Sequence, residues 1–181
     1  GHITWSLQGD HNQNNALAAI AAAQHVGVPP DVAAAALCSF QNVKRRMELR
    51  GTESGVMVYD DFAHHPSAIA TTLDGVKQSL QKEQKKKRIL AVLEPRSNTM
   101  KLGTMKAQLA GSLKDADLVF CHSGGLDWDP QEPFSPLGNS SPVPNPITQK
   151  VQKDDVIVCM SNGGFGGIHS KLLTALKHKT S

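Results

Sequence analysis

The sequence predicts an α/β protein: a largely parallel sheet covered by helices on both faces, preceded by two helices of different character. Three observations carry this. Short runs that are apolar almost throughout, such as "RILAVLEP" and "DVIVCMS", fit strands buried on both faces. They alternate with amphipathic helical stretches, the pattern of repeated βα units. Ahead of them stand two alanine-rich helical segments that no strand precedes. The second part therefore reads as a Rossmann-like domain.

Taken in order, "GDHNQNNALAAIAAAQHVGVPP" opens on polar residues, continues in strong helix formers and stops at Gly27, Pro29 and Pro30, predicting a helix over roughly 12–25. "PDVAAAALCSF" places Pro30 and Asp31 in a first turn and predicts a second helix to about Phe40. These helices need a surface to cover, which suggests that they belong to a domain whose larger part is absent. "QNVKRRMELRG" turns abruptly polar and basic, and the domain boundary is expected near residues 41–45, dividing 1–43 from 44–181. Beyond it "VMVYDD" reads as a strand, "PSAIATTLDGVKQSLQ" as a helix, "RILAVLEP" as a strand and "GTMKAQLAGSLKDA" as a helix. "DLVFCH" and "DVIVCMS" are further strands, and "GGIHSKLLTALKHK" is a closing helix. Residues 123–148 hold six of the ten prolines without sustained periodicity and read as a long surface loop.

Composition narrows the function classes. With 39% hydrophobic and 19% charged residues the chain is globular rather than disordered or fibrous. No apolar run approaches the ~20 residues that cross a bilayer. "GHITWSLQGD" lacks the basic and apolar regions of a secretory signal, so a cytoplasmic protein is expected. Cys38, Cys121 and Cys159 are odd in number and far apart, which suits reduced, mostly buried thiols rather than disulfides or a metal site. The net charge of +3 is small, and its one dense cluster, "KEQKKKR", has no interleaved aromatics. It reads as a solvated turn rather than a nucleic-acid surface.

Parallel α/β sheets bind ligands beyond the carboxyl ends of their strands. Polar clusters fall there: Asp60, Asp61, His64 and His65 after one strand, Glu94, Arg96, Ser97 and Asn98 after the next, and "SNGGFGG" after the last. Asp60 and Asp61 suit a sugar hydroxyl or a cation, and equally the capping of a helix that begins at Pro66. His64 and His65 are adjacent and point to opposite sides, which makes them poor joint ligands for one metal. Arg96 suits bidentate binding of a carboxylate or phosphate. Gly163, Gly164, Gly166 and Gly167 permit positive φ and close approach of a ligand to backbone. On the first helix, His11, Asn12 and Asn15 make one face rich in amides; an amide can read adenine through paired donor and acceptor, and the alternative is N-capping alone.

Assembled, these residues resemble the carboxyl-terminal part of a Mur ligase. "GDHNQNNALAAIAAA" is similar to the family's G-x-H-N-x-x-N helix, "KRRMELRG" to its arginine-bearing linker, and "YDDFAHHPSAI" to its D-D-(Y/F)-(G/A)-H-H-P strand end. "LEPRSNTMKLG" and "MSNGGFGGIHSKLL" resemble the branch that joins a salvaged peptide to a UDP-sugar. The resemblance implies an ATP-dependent, amide-bond-forming ligase of peptidoglycan recycling. Such an enzyme joins L-Ala-γ-D-Glu-meso-diaminopimelate to UDP-N-acetylmuramate through an acyl phosphate, with Mg2+ beside the nucleotide. It implies contacts to ATP from His11, Asn12, Asn15, Arg46, Asp61 and His64. Among these Asn15 would meet adenine, Arg46 would reach the nucleotide, and Asp61 would hold the ribose hydroxyls. It implies tripeptide recognition by Arg96, Ser97, Asn98, Gly163 and Gly164.

Glu94 departs from the D-N-P-R pattern of the diaminopimelate-adding relative, so that contact does not transfer unchanged. No G-x-x-G-K-[ST] phosphate loop occurs in the 181 residues. The catalytic residues and magnesium ligands are therefore expected outside this chain, in the missing amino-terminal and central domains of the same polypeptide, and the fragment alone is expected to be inactive. Two other readings remain. One is a metal-dependent hydrolase built on Asp60, Asp61, His64 and His65; the other is a non-catalytic nucleotide-binding module.

Overall fold

The computed structural model describes residues 1–7, 9–84, 86–134, 140–143 and 147–179. The chain divides into two compact units, Gly1–Lys44 and Arg45–Ser181.

The first unit is a pair of helices, α1 (Asp10–His25) and α2 (Pro30–Leu37). Alanine-rich sequence favours both. Pro30 occupies the first turn of α2, where its missing N–H costs nothing, and Gly27 turns the chain between the helices at φ 90°. α1 follows Gly9, which as N-cap residue makes no side-chain capping bond. Only Ala16 and Ala34 are buried in the two helices, while Leu17, Val26 and Val32 stay more than half exposed.

The second unit is a six-stranded sheet in the order β1-β2-β6-β3-β4-β5. Its strands are β1 (Glu48–Glu53), β2 (Val56–Asp61), β3 (Ile89–Leu93), β4 (Leu118–His122), β5 (Ser140–Val143) and β6 (Val156–Met160). β1 runs antiparallel to β2, and all other pairs are parallel. β3 and β6 are buried at every residue, as their apolar runs predict. Ile89, Ala91 and Leu93 face one core together with Val156, Val158 and Met160; Leu90, Val92, Ile157 and Cys159 face the other. On the first face lie α3 (Pro66–Lys82) and α5 (Lys106–Ser112), which contribute Ile69, Leu73, Val76 and Leu109. On the second lie α7 (Ile147–Lys150) and α8 (Ile168–Lys179), with Ile147, Leu172 and Leu176. The short α4 (Asn98–Lys101) and α6 (Gln131–Phe134) complete the unit.

The structure corrects two expectations. The basic linker reading ends at Met47: Glu48 begins β1, which turns into β2 through Ser54 (φ 53°) and Gly55 (φ 79°), a two-residue hairpin of the twist-matched kind. Charged residues along β1 mark an edge strand that discourages further pairing. Residues 123–148 are not one long surface loop. They contain α6, β5 and the start of α7, with Phe134 and Ile147 buried. The elements are four residues long, too short to show a period, and Pro142 is compatible with β5 because that strand lies at the sheet edge. The loop expected at 135–139 and 144–146 lies outside the described residues.

Candidate functional site

The sheet order places β6 between β2 and β3, and the crossover helices change face on the way to β6. This is the switch point beyond which doubly wound sheets hold ligands. Register brings the three strand ends level: Asp61 and Leu93 both pair with Met160. The residues that follow, Phe62, Glu94 and Ser161, converge there. The Ser161 N–H donates to the Asp61 carbonyl at 3.2 Å, and the Glu94 N–H to the Met160 carbonyl at 3.0 Å.

At the β2 end the polar groups turn inward. Asp61 is 3% exposed. Its Oδ1 accepts the Ala63 N–H at 2.8 Å and the Thr72 hydroxyl at 3.2 Å, and its Oδ2 accepts the Met47 N–H at 2.8 Å. Asp60, also buried, faces Arg45 Nε at 3.2 Å on Oδ2 and His169 Nε2 at 3.3 Å on Oδ1. The His169 contact is close but poorly aligned for a hydrogen bond. Burial holds the His169 pKa below its ordinary value, with Arg50 and Arg45 acting the same way, against the opposite pull of Asp60 and Glu48. Burial outweighs the nearby carboxylate and favours the neutral ring.

His65 is the N-cap of α3, its Nδ1 accepting the Ser67 N–H at 3.3 Å. Capping therefore falls to His65 and not to the aspartates. His64 Nδ1 donates to the Phe62 carbonyl at 2.9 Å, and its ring meets the Phe62 ring edge-on at 5.3 Å. Arg46 lies over the Phe62 ring, its guanidinium carbon 5.5 Å from the ring centroid. Arg46, Phe62 and His64 thus form one cluster. Asp60, Asp61, His64 and His65 do not converge on a common point, and among the described residues no group of three or more His, Cys, Asp or Glu is placed to hold a metal ion.

The β3 and β6 ends are different in kind. Arg96 and Asn98 are exposed, and the Ser97 hydroxyl reaches Thr99 at 3.2 Å. Gly163 lies under Arg96: a Cβ there would stand 2.7 Å from Arg96 Cδ and 2.8 Å from Cζ, so any larger residue would displace the arginine from this position. Positive φ is a property of Gly166 (55°) and Gly167 (69°), where the loop enters α8, and not of Gly164 (φ −76°). Ser161 donates its hydroxyl to Glu94 Oε2 at 2.5 Å and accepts the Gly163 N–H at 2.9 Å, so Glu94 holds the loop.

The sequence reading passed over Arg45 and Phe62. Phe62 sits inside the quoted strand-end motif, and its signal was an aromatic flanked by charged and imidazole side chains. Arg45 carried no signal distinguishing it from Arg46. In the first unit, His11 and Asn15 are exposed and Asn12 is half-buried, all within the first two turns of α1. Of the cysteines, Cys121 and Cys159 are buried and Cys38 is exposed; burial pushes the Cys121 thiol up to about 12 and the Cys159 thiol in the same direction.

Fold and site together define a doubly wound α/β domain that offers a cation and amides beyond its strand ends. The chain belongs to the Mur ligase family: the model described as "Mur ligase, glutamate ligase domain" matches residues 45–163. It is 50% identical to the UDP-N-acetylmuramate–L-alanyl-γ-D-glutamyl-meso-2,6-diaminoheptandioate ligase of Escherichia coli strain K12, over 99% of this chain and 40% of that protein. The Haemophilus influenzae protein of the same name is 46% identical over 98% of this chain and 40% of its own length. Among solved structures, a murein peptide ligase from Psychrobacter arcticus shares 44% identity at a TM-score of 0.71, covering 97% of this chain and 38% of that one. The chain thus spans about 40% of the length of these relatives.

Proposed function

We propose that this chain is the carboxyl-terminal part of an ATP-dependent ligase that joins L-alanyl-γ-D-glutamyl-meso-diaminopimelate to UDP-N-acetylmuramate, in the cytoplasm. The observation that carries this is the 50% identity over 99% of the chain to a protein of that name. Residues 1–43 are read as the last helices of the central ATP-binding domain and residues 44–181 as the carboxyl-terminal domain. An acyl phosphate on the sugar carboxylate would be attacked by the peptide amine. Phosphate leaves far more readily than hydroxide, and positioning contributes much of the rate.

The tripeptide is assigned to the open end of the sheet. Arg96 offers a planar donor fork to a carboxylate, Ser97 and Asn98 add polar contacts, Gly163 seats Arg96, and Gly164 lets the peptide approach backbone. The nucleotide is assigned to His11, Asn12 and Asn15 in the first unit, and to Arg46, Asp61 and His64 in the second. Asp61 is already occupied by three internal donors and nearly closed to solvent. We therefore read its part as bracing the Arg46–Phe62–His64 cluster, rather than taking ribose hydroxyls directly. ATP is a substrate in this reading. Mg2+ would neutralise its phosphates, and its ligands are assigned to the central domain.

The test is ADP release by the full-length gene product given tripeptide, UDP-N-acetylmuramate and ATP. Arg96→Ala is expected to raise the tripeptide KM far more than the ATP KM, and Asp61→Asn to show the opposite bias. A full-length protein with an intact phosphate loop that does not ligate would refute the assignment.

A further inference from the structure

We propose that Arg45 is a positioning residue for the substrate-facing loop: held by Asp60, its guanidinium fixes the carbonyls of Ser161 and Gly163, and with them the seat on which Arg96 lies. The identity of the substrate rests on the ligase reading above; the anchoring of the loop rests on geometry alone.

One side chain here joins three parts of the chain. Arg45 Nε points at the Asp60 carboxylate, 3.2 Å from Oδ2 and 3.4 Å from Oδ1. Its Nη2 donates to the Ser161 carbonyl at 2.6 Å and to the Gly163 carbonyl at 2.7 Å. The base of this arm is itself clamped. The Arg45 N–H donates to Glu48 Oε2 at 2.9 Å, and its carbonyl accepts the Phe62 N–H at 2.8 Å. Two residues on, the Met47 N–H is taken by Asp61. Arg45 (φ 59°) and Met47 (φ 48°) are left-handed without being glycine, a conformation that persists only where surrounding contacts over-determine it. Consecutive aspartates of β2 supply those contacts, Asp60 to the side chain and Asp61 to the backbone.

At the far end, the loop is also tied from Glu94 through the Ser161 hydroxyl to the Gly163 N–H, and by the Ser161 N–H to the Asp61 carbonyl. Arg45 holds the carbonyl side of the same residues. Together they set the height of Gly163, and Gly163 is the surface against which Arg96 packs. Nε and Nη2 of Arg45 are both turned to protein acceptors, so the residue acts on substrate through Arg96. A lysine keeps the charge opposite Asp60 but presents one compact ammonium, which cannot span the carboxylate and two carbonyls as a planar fork does.

The test uses the full-length gene product with Arg45→Lys, Arg96→Ala, their combination, and Asp60→Asn as a milder second variant. Arg45→Lys is expected to raise the tripeptide KM about ten-fold while the ATP KM stays within about two-fold, the size of effect a small misplacement produces. In the Arg96→Ala background the same change is expected to add less than about two-fold, because the two residues act in series. Hydrogen exchange read by mass spectrometry is expected to quicken across 161–167 and to stay unchanged in α3. Asp60→Asn reproduces this pattern at smaller size, and decides the matter if the lysine variant fails to fold. Unchanged exchange across 161–167 overturns the anchoring. Equal rises in both KM values, or full multiplication with Arg96→Ala, overturn the positioning role. A wild-type protein that does not ligate tripeptide sinks the ligase reading instead, and loop exchange then decides the anchoring by itself.

Discussion

The carboxyl ends of β2 and β3 flank the same strand, β6, and both are crowded with charged and polar residues, yet they are built for different purposes. After β2, Asp61 receives three internal donors, Asp60 faces Arg45 and His169, His65 caps α3 and His64 bonds to backbone. After β3, Arg96 and Asn98 stand exposed, and Arg96 reaches across to a glycine that makes room for it. Polar density at a strand end is thus no guide to contact with a ligand. Following each donor and acceptor to its partner separates the residues that support a site from those that present one.

The contrast breaks first, if it is wrong, at Asp61. Asp61→Ala leaves two backbone N–H groups and a hydroxyl without their acceptor, and unfolding free energy from urea titration is expected to fall by about 3 kcal/mol. A loss within about 0.5 kcal/mol would show that this end is not internally braced. Next in size, Gly163→Ala pushes Arg96 off its seat. The tripeptide KM is expected to rise roughly ten-fold in the full-length protein with little change in the melting temperature.

A smaller effect tests the buried imidazole. Because the His169 pKa is depressed on folding, the unfolded chain binds its proton first. Its contribution is complete above the unfolded value of 6.5 and is lost as pH falls below it toward the folded pKa. His169→Gln is therefore expected to flatten the acid side of the stability–pH curve, by less than the Asp61 effect; parallel curves for the two proteins would remove the assignment. The smallest change is the most discriminating. Arg96→Ala, at an exposed site, is expected to leave stability within about 0.5 kcal/mol. A larger loss would move Arg96 from the presenting side of the comparison to the supporting one.

Much of the fold was legible because its signals are local. Uninterrupted apolar runs announced β3 and β6, and amphipathic spacing with Pro66 announced α3. β1 and β5 were missed because they are edge strands: one is charged and largely open to solvent, and the other contains Pro142. In the site, the strand-end positions of Asp61, Arg96 and Gly163 could be read from order along the chain. Their partners could not. Met47 reaches Asp61, and Arg45 reaches Ser161 and Gly163, across separations of 14, 116 and 118 residues.

By itself, the sequence determined the class of fold, the alternation of strands and helices, and which loops would gather at one end of a parallel sheet, since these follow from hydrophobic period and chain order. Only the tertiary structure decided which of two neighbouring arginines grips the loop, which aspartate braces backbone, and that Arg96 packs over Gly163. Those outcomes depend on register and on donor–acceptor geometry between segments far apart in the chain, and local composition carries no record of either.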